Sequence, residues 1–349
     1  MRAHLARAAR RHARRACVQL RRRSFGQGAA AAGGFAGPVR AEHGVAPCAA
    51  AGRPAMSVAR PPEDAHTAAE GEGTSSIVAR PPEGARTAGE GPPVNPGAPA
   101  LQVPAMLLAA GRGERMRPLT DTTPKPLLTV QGQPLLHWQL QALQAAGVGQ
   151  VVINTAWLGA QISAHFSNVF THRGLTHPHR PLLISYSHEA VDFGAALGTA
   201  GGIARALPQL GPVFWLAAGD VFTPDFVFDP AAVQSFATSG QLAHLWLVPN
   251  PAHHPRGDFG LSAQGLALNL PAQDPAPRYT YSSIALLRAA LFAPPWCAIA
   301  AGNPGGVNAA LAPLLRRAMD QHRVGASLYT GRWTDVGTPE RLALLNERY

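Results

Sequence analysis

Beyond residue 101, short apolar runs alternate with stretches of helical apolar spacing. A chain patterned this way is restricted to a mainly parallel sheet with helices packed on it. Residues 103–109 read as a first strand that ends in a Gly-rich turn. Residues 135–146 have helical spacing that stops at Gly147, and 151–154 form the next strand. Further strands are expected at 182–186, 213–218, 243–248 and 279–285, with helices at 199–207 and 308–322. A short strand at 333–336 and a helix at 339–347 close the series. In open sheets of this type ligands sit beyond the carboxyl ends of the strands, so the residues just past each strand are the candidates for chemistry.

The first hundred residues are of another kind. They hold 14 arginines, no lysine and 7 acids, among many Ala, Gly and Pro residues, with too few large apolar groups to offset the entropy of ordering. Residues 1–100 are therefore expected to be a disordered low-complexity segment, or the product of a start placed too far upstream, and 101–349 the folded domain. A motif at Val58 recurs at Val78, but two Pro-Gly-Glu copies are too few for a solenoid. Of the net charge of +10 only +3 falls beyond residue 100, so the basic excess does not point to nucleic acid as a partner. Cys17, Cys48 and Cys297 have no spacing that suggests a zinc site or a disulfide framework. No apolar run is long enough for a membrane span, and the expected location is cytoplasmic. The oligomeric state is left open.

Four motifs carry chemistry. Residues 107–120 place Ala109, Ala110, Gly111 and Gly113 at the end of the first strand and in its turn, where glycine lets backbone N–H groups approach phosphate oxygens. Arg112, Arg115 and Arg117 add positive charge. Met116 occupies the third glycine position of a dinucleotide fingerprint, which disfavours an oxidoreductase, and there is no Walker loop. The only lysine of the chain, Lys125, stands between Pro124 and Pro126 among 29 arginines elsewhere, as a compact point charge for phosphate would. Asp220 and Asp335 each follow a short apolar run, and a pair of carboxylates from distant strand ends suits Mg2+. Gly198 and Thr199 open a small-residue stretch, 198–202, before a helix, suited to close approach of a nucleobase or simply to a helix start. His253 and His254 read as loop or capping residues, since neighbours in sequence point to different faces.

In this order the motifs resemble those of the sugar-1-phosphate nucleotidyltransferase family: Gly-x-Gly-x-Arg-Met-x-Pro-Leu-Thr, Pro-Lys-Pro, Gly-Asp and Asp-Val-Gly-Thr. The resemblance runs from Ala105 to about residue 345. It implies the three-layer α/β/α, Rossmann-like fold of nucleotide-diphospho-sugar transferases and Mg2+-dependent transfer of a nucleotide to a sugar 1-phosphate. By that likeness Arg115 and Lys125 are catalytic, Asp220 and Asp335 hold Mg2+, and Ala109, Ala110, Gly111, Gly113, Gly198, Thr199 and Asp220 bind the nucleotide. Asn250, Asp258 and Ser283 face the sugar. Segments 156–159, 250–260 and 312–319 look most similar to the family's N-acetylmuramate α-1-phosphate uridylyltransferases of cell-wall recycling, which implies UTP as a partner. Mannose-1-phosphate guanylyltransferases are the rival branch, and a non-catalytic nucleotide-sugar-binding regulator is the alternative of another class. Two positions depart from the pattern: 197–202 reads LeuGlyThrAlaGlyGly where GluThrGlyGlyGly is usual, and Ser283 stands where Gly is usual.

Overall fold

The protein is described here from a computed structural model over residues 103–172 and 180–347; the expectations for 1–100, with Cys17 and Cys48, lie outside the described residues. The described residues begin with β1 (Ala105–Ala109), followed by α1 (Leu135–Ala145), β2 (Gln150–Thr155) and α2 (Gly159–Phe166). Then come β3 (Leu182–His188), the short α3 (Glu189–Phe193), α4 (Gly198–Leu210), β4 (Val213–Ala218) and β5 (Val221–Phe222). After α5 (Pro230–Thr238) and β6 (Ala243–Val248) follow β7 (Phe259–Leu261), β8 (Ala267–Leu268) and the long β9 (Arg278–Arg288). The last elements are α6 (Ala312–Met319), β10 (Val324–Leu328), β11 (Thr334–Asp335) and α7 (Pro339–Glu347).

Four parallel strands run in the order β4, β1, β2, β3, with Ala105 of β1 opposite Val151 on one side and Trp215 on the other. The chain leaves β1 for β2 on one side and returns to its other side as β4, so a topological switch point lies between β1 and β4. β9 runs antiparallel to β4, β6 and β7, and β10 pairs parallel with β6. The register of β9 shifts between Tyr281 and Ala285, a bulge in which Ser283 takes φ +66°.

Period-two alternation sends successive side chains to opposite faces of the sheet, each packed under helices. Ala105 and Leu107 of β1 and Trp215 of β4 join Leu136, Leu140 and Leu143 of α1 on one face. Met106, Phe214 and Leu216 join Ile203 and Ala206 of α4 and Leu315 of α6 on the other. The result is the three-layer α/β/α, Rossmann-like arrangement that the resemblance implies, with the mainly parallel sheet expected from the alternation. A third, smaller cluster of Met116, Val130, Leu135, Phe222, Val336 and Leu342 knits residues 113–135 to β5, β11 and α7.

Several boundaries differ from expectation, one of them for a clear tertiary reason. The helix read over 308–322 forms only at Ala312–Met319, because the residues before it are tied to α4. Ala309 O accepts from the N–H groups of Ala200 and Gly201, and Ala309 N–H donates to Leu197 O. In turn α4 starts one residue earlier than read, at Gly198, and β1 starts at Ala105 and not at Val103. Among the described residues no helix is long and apolar enough to cross a membrane.

Candidate active site

The turn after β1 is set by its own bonds. Gly113 has φ +66°, and its carbonyl accepts from Thr120 Oγ1 at 2.8 Å. A side chain there would meet Thr120 Cγ2 at 3.0 Å. Gly111 is different: its φ is not in the left-handed region, and an added Cβ would meet nothing within 4 Å. The fold does not require glycine there, so the space is free for something the chain does not supply.

Lys125 opens a single 3-10 turn, Lys125–Leu127, and is only 7% exposed. Its Nζ lies 2.5 Å from Asp220 Oδ2 and 3.9 Å from Asp335 Oδ1. Asp220 sits just past β4, where Gly219 lets the chain pass: a Cβ there would be 2.8 Å from Leu136 Cδ1 and 3.1 Å from Leu108 O. Asp335 is brought in by β11, which pairs antiparallel with β5 and sets it opposite Val221. Two aspartates more than a hundred residues apart in sequence thus flank one ammonium.

Asp335 has further partners. Arg341 of α7 donates through Nη1 to Asp335 Oδ2 at 2.9 Å and to its carbonyl at 2.8 Å, and also contacts His253 Nε2 at 2.8 Å. Burial, then the Arg341 guanidinium, hold the His253 imidazole below its usual pKa, against the opposite pull of Asp335. His254 contacts Asp258 Oδ1 at 3.1 Å, so both histidines are loop residues, at the rim of the site. The turn arginines divide. Arg112 stacks 3.5 Å above the Trp157 ring and pairs with Asp121, as does Arg117. Both are spent on the loop. Arg115 alone of the three has no ion-pair partner among the described residues, and it is exposed on the wall of the cavity.

Three cavities join into one trench along the carboxyl ends of β1 and β4. The first, about 510 Å³, is walled by residues 111–116 with Ala109, Lys125 and Asp220. The second, about 320 Å³, shares Gly111 and Asp220 with it and adds Ala110, Asn154, Gly198, Thr199 and Ser283. The third, about 300 Å³, shares Thr199 and Ser283 and adds Asp258, Tyr281 and Arg316. Two predicted residues line none of the three: Asp335, which reaches the site through Lys125 Nζ at 3.9 Å, and Asn250. The Asn250 side chain donates to the carbonyls of Pro255 and Arg278 and accepts from Thr280 Oγ1, which fastens the 250–258 loop to β9. Asp258 is partly committed as well, accepting from the Tyr281 N–H at 2.8 Å.

The small-residue stretch at 198–202 also has a reason inside the protein. A Cβ on Gly198 would meet Ala309 O at 2.6 Å, one on Gly202 would meet Glu189 Oε1 at 2.5 Å, and one on Gly201 would collide with Val307 O. Asn154 and Glu189, 3% and 0% exposed, were not marked by any motif. Their only signal was a polar residue inside or just after an apolar strand. Burial pushes the Glu189 carboxyl up, while hydrogen bonds from Leu197 N–H and Asn154 pull it back.

The donor set fits a divalent cation of the Mg2+ type. Among the described residues no three His, Cys, Asp or Glu side chains form a closed metal cage. Two hard carboxylates beside an open phosphate-sized cavity are what Mg2+ takes from a protein when phosphates and water complete its shell.

Residues 105–328 match the MobA-like NTP transferase domain family. The chain is 45% identical over 244 residues to the N-acetylmuramate alpha-1-phosphate uridylyltransferase of Neisseria meningitidis serogroup B, covering 68% of this chain and 94% of that protein. It is 32% identical over 247 residues to the enzyme of the same name from Caulobacter vibrioides, covering 68% and 92%. Among solved structures, a putative glucose-1-phosphate thymidylyltransferase from Bacillus anthracis superposes with a TM-score of 0.55 at 18% identity, over 70% of this chain and 95% of that one; it speaks for the fold alone. The chain belongs to the sugar-1-phosphate nucleotidyltransferase family, built on the MobA-like NTP transferase domain, and is an enzyme of the nucleotidyltransferase class.

Proposed function

We propose that the protein transfers a uridylyl group from UTP to N-acetylmuramate α-1-phosphate, giving UDP-N-acetylmuramate and pyrophosphate, as a step of cell-wall recycling. The observation that carries this reading is the placement of Lys125 Nζ between Asp220, at 2.5 Å, and Asp335, at 3.9 Å, with Lys125 and Asp220 on the wall of the first cavity. An oxygen of the sugar phosphate attacks the α-phosphorus in line. A new P–O bond forms, the bond from the α-phosphorus to the oxygen bridging to the β-phosphate breaks, and pyrophosphate leaves with the electron pair. A phosphate monoester has its second pKa at about 6, so the nucleophile is already largely ionised at neutral pH and no general base is needed.

Charge and position then carry the rate. The ammonium of Lys125 has three donors; one is held by Asp220 and the others are free for phosphate oxygens. Arg115 faces the same cavity from its rim, and the open side of Gly111 admits the nucleotide close to the backbone. Asp220 and Asp335 would hold Mg2+, which supplies neutralisation of the phosphate charge. The second cavity suits the nucleoside and the third, with Asp258 and Ser283, the sugar.

The test is pyrophosphate release with Mg2+ across four triphosphates and the 1-phosphates of N-acetylmuramate, mannose and glucose. UTP with the muramate sugar is expected to lead. Preference for GTP with mannose would move the assignment to the rival branch, and no product above a Lys125→Ala control for any pair would end the reading.

A further inference from the structure

Two buried side chains beside the second cavity take no part in the chemistry above. Ala109 N–H donates to Asn154 Oδ1 at 2.8 Å, Asn154 Nδ2 donates to Glu189 Oε1 at 2.7 Å, and Leu197 N–H donates to Glu189 Oε2 at 2.7 Å. The chain of bonds has one direction. A carboxylate can only accept, so Asn154 must turn its amide nitrogen towards Glu189, which leaves its carbonyl for Ala109. The bonds run from the last residue of β1 to the residue before Gly198. These are the two walls of the second cavity, which is lined by Ala110 and Gly111 on one side and Gly198 and Thr199 on the other. Gly202 is the opening that admits the pair, since a Cβ there would lie 2.5 Å from Glu189 Oε1 and 2.9 Å from Asn154 Nδ2.

We propose that Asn154 and Glu189 are positioning residues that set the width of the nucleoside pocket, with Glu189 working as an anion that accepts from both sides. The proposal rests on the nucleotidyltransferase reading. A carboxylate at 0% exposure is an expensive way to join two segments, and an apolar pair of the same volume would serve packing as well. What an apolar pair would lack is direction: this relay holds one backbone N–H from each wall at a set distance, and the walls with them.

Exchange of the donors tests the relay. Glu189→Gln leaves an N–H facing another N–H whichever way the new amide turns, and Asn154→Asp puts two carboxylates in contact. In the double variant Asn154→Asp/Glu189→Gln every bond is restored. The new carboxylate accepts from Ala109 N–H and from the new amide, whose carbonyl accepts from Leu197 N–H. The readouts are KM for the triphosphate that the wild type uses best, KM for the sugar phosphate, kcat and the unfolding midpoint. Each single change is expected to raise the triphosphate KM about tenfold or more, with sugar-phosphate KM and kcat within about threefold of wild type. The double variant is expected to bring the triphosphate KM at least threefold below that of either single one.

Should the single variants fail to fold, Gly202→Ala displaces the same pair without altering its chemistry and is expected to raise the triphosphate KM selectively. Additive losses in the double variant, or folded variants with unchanged triphosphate KM and only a lower unfolding midpoint, would overturn the proposal. A wild type that consumes no triphosphate at all would instead remove the nucleotidyltransferase reading, and this inference with it.

Discussion

At Gly113 the backbone stands at φ +66° with Thr120 Cγ2 3.0 Å from where a Cβ would be, whereas two residues earlier Gly111 has open space on that side. The same substitution should therefore have two different outcomes. Gly113→Ala is expected to lower stability by about 1–2 kcal/mol, the cost of a left-handed conformation for an L-residue, seen as a lower midpoint in urea. Gly111→Ala should leave the midpoint unchanged and raise the triphosphate KM several-fold, because only a ligand contests that space. An unchanged KM would mean that the nucleotide does not approach here. At Lys125 the expectation concerns rate. Lys125→Ala should lower kcat about 10²–10³-fold, the size seen when one preorganised charge is removed from a transition state. Lys125→Arg should not restore it, since a planar guanidinium does not fit a 7% exposed slot that holds a carboxylate at 2.5 Å from a point charge.

Among the elements, the segment before α6 shows why regular pattern is an incomplete guide. Its helical spacing was legible from 308 onward, yet the backbone at 309 gives its hydrogen bonds to α4 and the helix waits until Ala312. Asn303, 1% exposed and at φ +42°, anchors this strap by donating to Gly201 O and Val307 O and accepting from Val307 N–H. Asn303→Ala should cost about 2–3 kcal/mol by denaturant unfolding, as three bonds are lost at a buried site. On β9 the opposite holds. The Tyr281 hydroxyl is buried with no hydrogen-bond partner among the described residues, and burial drives its pKa far above the ordinary tyrosine value. Tyr281→Phe is expected to be neutral or to stabilise by up to about 1 kcal/mol, since nothing is unpaired by the change; a loss of more than that would reveal a partner for the hydroxyl. The strands at 213–218 and 243–248 were legible to the residue, and the helix at 339–347 from its start at Pro339, because each begins at local turn chemistry.

Across the whole molecule, the two site carboxylates are already compensated by protein cations: Asp220 by Lys125, and Asp335 by Arg341 and, at longer range, Lys125. The three apolar clusters do not depend on an ion. Removal of divalent metal by EDTA is therefore expected to abolish turnover while the unfolding midpoint stays within about a degree, in contrast to structural metal sites, whose binding energy is folding energy. A large drop in the midpoint would show that the metal is part of the fold. The sequence by itself determined which chemical groups stand at the ends of which strands, because period, glycine placement and the single lysine can be read within one element. It also suggested a glycine-lined base loop at 198–202, where the structure finds glycines demanded by Ala309, Val307 and Glu189. Only the tertiary structure decided the partners: Lys125 with Asp220 across 95 residues, Asn154 with Glu189, Arg112 on Trp157 and Asn250 in its loop. The reason is physical. Right-handed parallel crossovers return strand ends to one rim regardless of their distance in the chain, and which side chains then meet depends on register and burial, which no local pattern encodes.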